Sequence, residues 1–279
     1  MLDAHAPVPA VQGSGPGLQR SRGRAAVRLG ACNGRTVLRD LHQSGCAKAM
    51  LPRTHGPCPE VVFLNTAGGV TGGDTLQYAL DLGPGCAGVA ATQTAERAYR
   101  SIGTAGHIDV TLSLGSGARL DWLPQETILF DASNTVRRTQ ADMAGDATLL
   151  WAEMLVMGRA AMGESIETVS LRDLREVRRA GRLVLAEPLE LSPASLAAPA
   201  GLDTARAIAT IAFLSPDAED ARDALRALDF ADVTLAVSAW DGKLIARAIA
   251  RDAQPLKQAV ATLVTTLRRG APLPRVWQV

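Results

Sequence analysis

The sequence predicts a mainly β protein, a stacked, solenoid-like β-sheet architecture with a few α-helices toward the C-terminus. Three observations lead there: apolar and polar residues alternate over short stretches, glycine-rich turns separate the stretches, and one stretch-plus-turn unit recurs. In Thr75–Leu82 the residues Leu76, Tyr78, Leu80 and Leu82 share one face ahead of Gly83-Pro84-Gly85. In Ile108–Leu114 the residues Ile108, Val110, Leu112 and Leu114 do the same ahead of Gly115-Ser116-Gly117. The two copies of L-x-L-G-x-G lie 32 residues apart, and a degenerate third turn, Ala144-Gly145-Asp146, follows about 30 residues on. Period-2 apolarity punctuated by glycine at near-constant spacing implies β units laid side by side. The same pattern also fits two similar hairpins in an ordinary sandwich.

The totals exclude several classes. With 29 basic and 28 acidic side chains in 279 residues the net charge is +1, whereas nucleic-acid binders and polybasic membrane proteins need a one-signed field. Aromatic residues make up 4%, so the core must be filled largely by Ala, Val and Leu. No apolar run approaches the roughly 18 residues that a membrane helix needs. The opening MLDAHAPVPA has neither a basic nor an apolar signal region, so a cytoplasmic protein is expected. Residues 1–23 read as a disordered leader, and 24–279 as one domain. Cys32, Cys46, Cys58 and Cys86 form no C-x-x-C pair and read as free thiols. Cys46, His55 and Cys58 could be assembled into a metal site on paper, though their spacing matches no zinc pattern.

In chain order, Thr36–Leu41, Ala47–Leu51 and Val61–Leu64 read as strands. The last delivers the chain into Leu64–Asp74, LNTAGGVTGGD, where two glycine pairs mark backbone in a crowded turn. Trp122-Leu123-Pro124 ends one strand and Thr127–Phe130 makes another, while Leu149–Met157 fits a helix or a buried strand. Val169–Glu190, with Arg172, Arg175, Arg178, Arg179 and Arg182 around Gly181, fits a solvated two-stranded ribbon. Ser215-Pro216 predicts the start of a helix carrying Ala218, Ala221, Leu225 and Leu228. Val233–Ala239 and Leu244–Ile249 flank the hairpin turn Asp241-Gly242. Pro255 opens a helix with a Leu256, Val260, Leu263, Val264, Leu267 stripe, basic residues Arg268 and Arg269 in its last turn, and Gly270 as its stop.

Enzyme templates fail. Gly68–Gly73 is neither G-x-G-x-x-G nor a phosphate loop, no G-x-S-x-G or H-E-x-x-H occurs, and the chain has only His5, His42, His55 and His107. Polar residues nevertheless recur after each repeat: Thr92, Gln93, Glu96, Arg97 and Tyr99, then Gln125 and Glu126, then Glu153, Arg159 and Glu164. With Asp74 and Asp131, these form either solvated turns, with Glu96–Arg97 and Arg159–Glu164 as surface pairs, or an interior polar track whose acids need partners or a cation.

LNTAGGVTGGD (64–74), ATQTAERAYRS (91–101), LDWLPQETILFDAS (120–133), MGRAAMGE (157–164) and PRVW (274–277) come in order along the chain. Together they resemble the urease accessory protein UreD family, also called UreH, from about Arg24 to the C-terminus. Gly45-Cys46-Ala47-Lys48 departs from the family's more usual Gly-Pro-Leu-like strand start. The resemblance implies a non-catalytic maturation factor that joins a UreF-like partner and, through it, a UreG-like GTPase, docks on apo-urease and delivers nickel to its active site. It also implies an internal channel, no tightly bound cofactor and transient Ni²⁺. Mapped by motif position, the metal route would use Asp74, Glu96, Glu126, Asp131, Glu153 and Glu164, with Thr92, Gln93 and Tyr99 lining it. Asp74 could equally cap its turn. The alternative is a stand-alone β-solenoid hydrolase using Asp74, Glu96 and Glu126 as acid and base.

Overall fold

A computed structural model describes residues 19–53, 58–198, 201–202 and 204–278. His55 and most of the leader lie outside the described residues, so the Cys46–His55–Cys58 grouping does too. The chain opens with β1 (Arg22–Cys32), two residues before the boundary expected at Arg24, and turns back into β2 (Arg35–Gly45) and the short β3 (Ala47–Met50). Then β4 (Glu60–Asn65) leads into the glycine stretch. From there the chain alternates between two facing sheets: β5 (Thr75–Leu82), β6 (Ala87–Thr92), β7 (Glu96–Ala98), β8 (Gly106–Leu114), β9 (Arg119–Trp122), β10 (Thr127–Leu129), β11 (Ser133–Met143), β12 (Thr148–Met157) and β13 (Val169–Arg179).

The 32-residue repeat is a stacking register. Strand β5 runs parallel to β8 with Leu76 beside Ile108, Tyr78 beside Val110, Leu80 beside Leu112 and Leu82 beside Leu114. Strand β6 pairs β9 at the same offset, Ala87 beside Arg119. The first sheet has the order β14-β13-β11-β8-β5-β1-β2, where β14 (Arg182–Leu191) returns antiparallel to β13. Stacked coils, rather than paired hairpins, are therefore the architecture. Leu149–Met157 resolves as strand because β12 is flanked by β9 on one side and β15 on the other, which covers both edges of a continuous apolar run.

After β14 come α1 (Pro193–Ala197), β15 (Ala207–Leu214), α2 (Arg222–Arg226), β16 (Val233–Trp240), β17 (Lys243–Ala250) and α3 (Ala253–Leu267). The second sheet has the order β16-β17-β15-β12-β9-β6-β4-β3. The predicted hairpin at Asp241-Gly242 is present, with φ of 49° and 66°, the paired left-handed turn that matches strand twist. The helix expected after Ser215-Pro216 is a 3-10 turn at Ala218–Ala221 followed by the one-turn α2. Ser215 does not cap it, because its hydroxyl bonds the Asp217 carboxylate instead. At the end of α3, Arg269 takes the left-handed conformation (φ 54°), with Arg269 N–H on Thr266 O and Gly270 N–H on Thr265 O. The stop is thus one residue earlier than Gly270.

Three layers result. Between the sheets lie Leu, Val and Ala with three aromatics gathered at one point: Phe63 lies tilted against Tyr78 at 4.8 Å and meets Trp122 edge-on at 5.9 Å. On the outer face of the second sheet the α3 stripe Leu256, Val260, Leu263, Val264 and Leu267 packs over Leu123, Leu150 and Phe213.

The glycine stretch is a crossing. Val70 N–H donates to Arg97 O and Tyr99 N–H to Val70 O, so the loop lies directly along the next coil. A Cβ on Gly69 would strike the Tyr99 ring and stand 2.7 Å from Arg97 O; one on Gly72 would strike Ser101 and Thr104. Gly69→Ala should therefore cost about 1–3 kcal/mol of stability, read as a lower urea midpoint of the full chain; an unchanged midpoint would refute the close crossing.

Candidate functional site

The candidate site begins where the second sheet comes apart. Strand β6 stops at Thr92 and resumes as β7 at Glu96; β9 stops at Trp122 and resumes as β10 at Thr127. The two gaps lie side by side, and Pro124, which has no N–H to donate, sits in the second. Cross-links replace the missing ladder: Gln125 N–H donates to Thr92 Oγ1 at 2.9 Å and Glu96 N–H to Glu126 O at 2.9 Å. Behind the gaps, between the sheets, is a cavity of about 40 Å³ walled by Leu76, Tyr78, Ile108, Val110 and Trp122 on its apolar side. Thr92, Glu96, Gln125, Thr127, Arg137 and Glu153 form its polar side. A second pocket of about 30 Å³ adjoins it, sharing Tyr78, Thr92 and Glu96 and reaching Asn65, Gly68, Gln93 and Thr94.

Glu96 and Glu153 meet this cavity on very different terms. Among the described residues the Glu96 carboxylate accepts only from Asn65 Nδ2 (3.2 and 3.3 Å) and the Arg97 amide (3.2 Å). Burial pushes its pKa up to about 7, against those hydrogen bonds and the Arg97 charge. Its backbone partner in the next coil is Thr127, not Glu126, and one step of register turns a side chain to the other face. Glu126 accordingly faces α3, where Lys257 Nζ stands 3.2 Å from Oε2. The expectation that Glu96–Arg97 is a surface ion pair is corrected by the same alternation, because Arg97 turns out and Glu96 in.

Glu153, by contrast, is locked in a buried ionic cluster. Its Oε2 accepts from Arg175 Nε at 3.0 Å and lies 3.1 Å from Arg137 Nη2, while Oε1 takes weaker bonds from Thr139 (3.3 Å) and Trp122 (3.4 Å). Asp173 accepts from both arginines, at 2.5 Å from Arg137 Nη2 and 2.6 Å from Arg175 Nη2. Burial works against the Arg137 charge, but Asp173 and Glu153 beside it hold its pKa above the ordinary value. Burial would likewise raise Asp173, yet the two guanidiniums keep it below the carboxylate range. The ribbon over Val169–Glu190 is therefore solvated only in part: Arg172, Arg178 and Arg182 are exposed, whereas Asp173 and Arg175 are core residues. Sequence reasoning missed Arg137, Asp173 and Arg175. The available signal was β11, where Ser133, Thr135, Arg137 and Thr139 occupy the inward positions of an alternating strand.

The remaining predicted residues lie elsewhere. Asp74 caps its turn with both oxygens, Oδ2 on the Thr71 amide (2.9 Å) and Oδ1 on the Ser21 amide (2.7 Å). Asp131 and Glu164 stand together at the loop end of the coils. Asp131 accepts the Glu167 and Thr168 amides, which hold its pKa low, and Glu164 is gripped by Arg159 Nε at 2.9 Å. Tyr99 packs edge-on against Phe130 at 5.0 Å, and Arg159 lies over that ring at 4.3 Å. The structure thus brings Thr92, Glu96 and Glu153 to one cavity, with Gln93 at the adjoining pocket. It sends Asp74, Glu126, and the Asp131–Glu164 pair to three other surroundings. Asp74, Glu96 and Glu126 share no common space, so they form no acid–base pair. Among the described residues no group of three or more His, Cys, Asp or Glu side chains is gathered to hold a metal ion, and no helix is long and apolar enough to cross a membrane.

The Glu96 environment has a pH signature. A carboxyl raised from 4.5 to about 7 takes up a proton on folding, so its stabilising contribution is full below about 4.5 and is lost as the pH rises through about 7. Glu96→Gln should remove that slope and leave the variant more stable than the parent at pH 8. The ceiling is about 3 kcal/mol, reduced where water reaches the carboxylate. Urea midpoints at pH 5 and pH 8 check this; equal slopes for the two proteins would contradict it.

Comparison with known proteins agrees with this layout of motifs. The family described as UreD urease accessory protein matches residues 21–278. The urease accessory protein UreD of Dinoroseobacter shibae is 63% identical over 265 residues, covering 95% of this chain and 94% of that protein. That of Jannaschia sp. is 53% identical over 267 residues (95% and 98%), and that of Paracoccus denitrificans 47% over 283 residues (100% and 97%). A match over nearly the full length of both chains shows that this protein belongs to the UreD family of urease accessory proteins, which assist urease rather than act as enzymes themselves.

Proposed function

We propose that this chain is a non-catalytic chaperone subunit that, with UreF- and UreG-like partners, delivers nickel to the active site of apo-urease. The ion is cargo, and the route is the polar seam between the two sheets. The supporting observation is Glu96: a weakly partnered carboxylate at a cavity with one apolar wall and one polar wall, where the other carboxylate, Glu153, is tied up by two arginines. Ni²⁺ takes oxygen and imidazole ligands, and a tight multidentate site would trap it. Single carboxylates, hydroxyls, amides and carbonyls at intervals admit an ion and release it. Thr92, Gln93, Thr94, Glu96, Gln125 and Thr127 supply that kind of surface. Directionality comes from the partner GTPase, and we read the place of action as the cytoplasm.

Deleting this gene from a urease operon should leave urease inactive and poor in nickel; active, nickel-loaded urease in its absence would overturn the reading. Glu96→Gln should lower urease nickel content several-fold while copurification with the partners is kept. Normal nickel loading by this variant would remove the seam as the route and leave the accessory role standing.

A further inference from the structure

The polar seam also has an outer wall, on the side of α3. Residues 123–126 lie between β9 and β10, with Leu123 N–H on Ala90 O and Glu126 O on Glu96 N–H as their backbone bonds to the neighbouring coil. The helix α3 and the C-terminal turn Arg275–Trp277 bond them from outside. Gln125 lines the cavity, is 5% exposed, and is bonded outward through both polar atoms of its amide. Its Nε2 donates to Val276 O at 2.9 Å, and its Oε1 accepts from Lys257 Nζ at 2.6 Å. The same ammonium reaches Glu126 Oε2 at 3.2 Å. Trp277 Nε1 donates to Leu123 O at 2.9 Å, on the other side of Pro124. Upstream, Arg268 ties the segment down by bonding Asp121 Oδ2 at 2.8 Å and the carbonyls of Ala271 and Pro272.

We propose that Lys257 and Gln125, with residues 274–277 strapped across them, form a gate that closes the interior cavity on its α3 side. The chemistry is that of a tethered cation standing in an outlet. The Lys257 ammonium occupies the two oxygen ligands, Gln125 Oε1 and Glu126 Oε2, that a cation leaving on this side would use next, and it repels that cation through a poorly solvated wall. The strap is held by the side-chain bonds at Val276 and Leu123 and by the burial of Trp277 against the α3 core, with no strand ladder of its own. The strap is therefore the part of this wall that a docking protein can lift without unpairing a sheet. The nature of the cargo rests on the nickel reading; the closure itself does not.

The test places a thiol in the cavity by Val110→Cys, a wall residue 5% exposed, in the full chain. Its modification by a small cationic methanethiosulfonate is followed by mass mapping of residue 110. Adding Lys257→Met, or ending the chain after Leu273, should speed labelling at least tenfold over Val110→Cys alone, and a neutral reagent should gain less from Lys257→Met. Should the shortened chain fail to fold, the Lys257→Met arm decides. Labelling rates unchanged in Lys257→Met overturn the gate. Faster labelling, together with urease nickel loading that neither Lys257→Met nor Glu96→Gln alters, upholds the gate and removes nickel as its cargo.

Discussion

Parallel stacking in fixed register is the constraint on which everything else rests. Once β5 and β8 lock with Leu76 beside Ile108, the length of each coil decides what stands above what. The step from the first coil to the second is 32 residues, but Ile108 sits beside Arg137, a step of 29. The inward row then reads Leu76, Ile108, Arg137, Asp173, and the next row Tyr78, Val110, Thr139, Arg175. The core therefore changes from apolar to ionic within one strand-to-strand step. Two arginines and two carboxylates can be buried there because each charge faces two of the opposite sign. Removing one partner of such a set typically costs about 3–5 kcal/mol, since it strands the others.

The same register separates two carboxylates that share a cavity. Glu153, on β12, lies opposite the arginines of the first sheet and is saturated by them. Glu96, on β7, lies opposite Leu76 and Tyr78, two coils before the arginines begin, and among the described residues no guanidinium is hydrogen-bonded to it. Desolvation thus dominates at Glu96, whereas Glu153 is held in ion pairs. Glu96 is left responsive near neutral pH, and Glu153 is built into the ionic cluster. The larger part of their difference is set by which coil each occupies.

Local pattern made the stack legible: the L-x-L-G-x-G pair gives the β5–β8 register directly, and the α3 stripe and the Asp241-Gly242 hairpin follow from period and turn chemistry. The site was legible only in part. Thr92 and Glu96 stand in a recognisable motif, but Glu126 was matched to Glu96 by motif position, and the one-residue difference between that alignment and the actual ladder puts it on the opposite face. Arg137, Asp173 and Arg175 were lost for a related reason. In sequence each sits among exposed arginines, and only cross-strand partners 36 and 22 residues away turn them into core. The helix expected after Ser215-Pro216 shortens to two turns, with the Ser215 hydroxyl bonded to Asp217, a competition that the residue types alone do not decide.

The break in the second sheet carries a consequence for access. A continuous ladder would seal the space between the sheets, because no side chain or water crosses a paired strand. Pro124 and the 93–95 loop interrupt two adjacent ladders at one level, and the interior there holds volumes of only about 40 and 30 Å³. Such spaces take a few waters at most, far less than a fully hydrated divalent cation with its shell. Anything that passes must shed water against Thr, Gln and Glu oxygens, and the wall must move to let it. On the α3 side that wall is a lysine, a glutamine and one turn of chain, held by the bonds at Val276, Leu123 and Glu126. The site chemistry and the outer helix are therefore one mechanical unit, joined through Gln125.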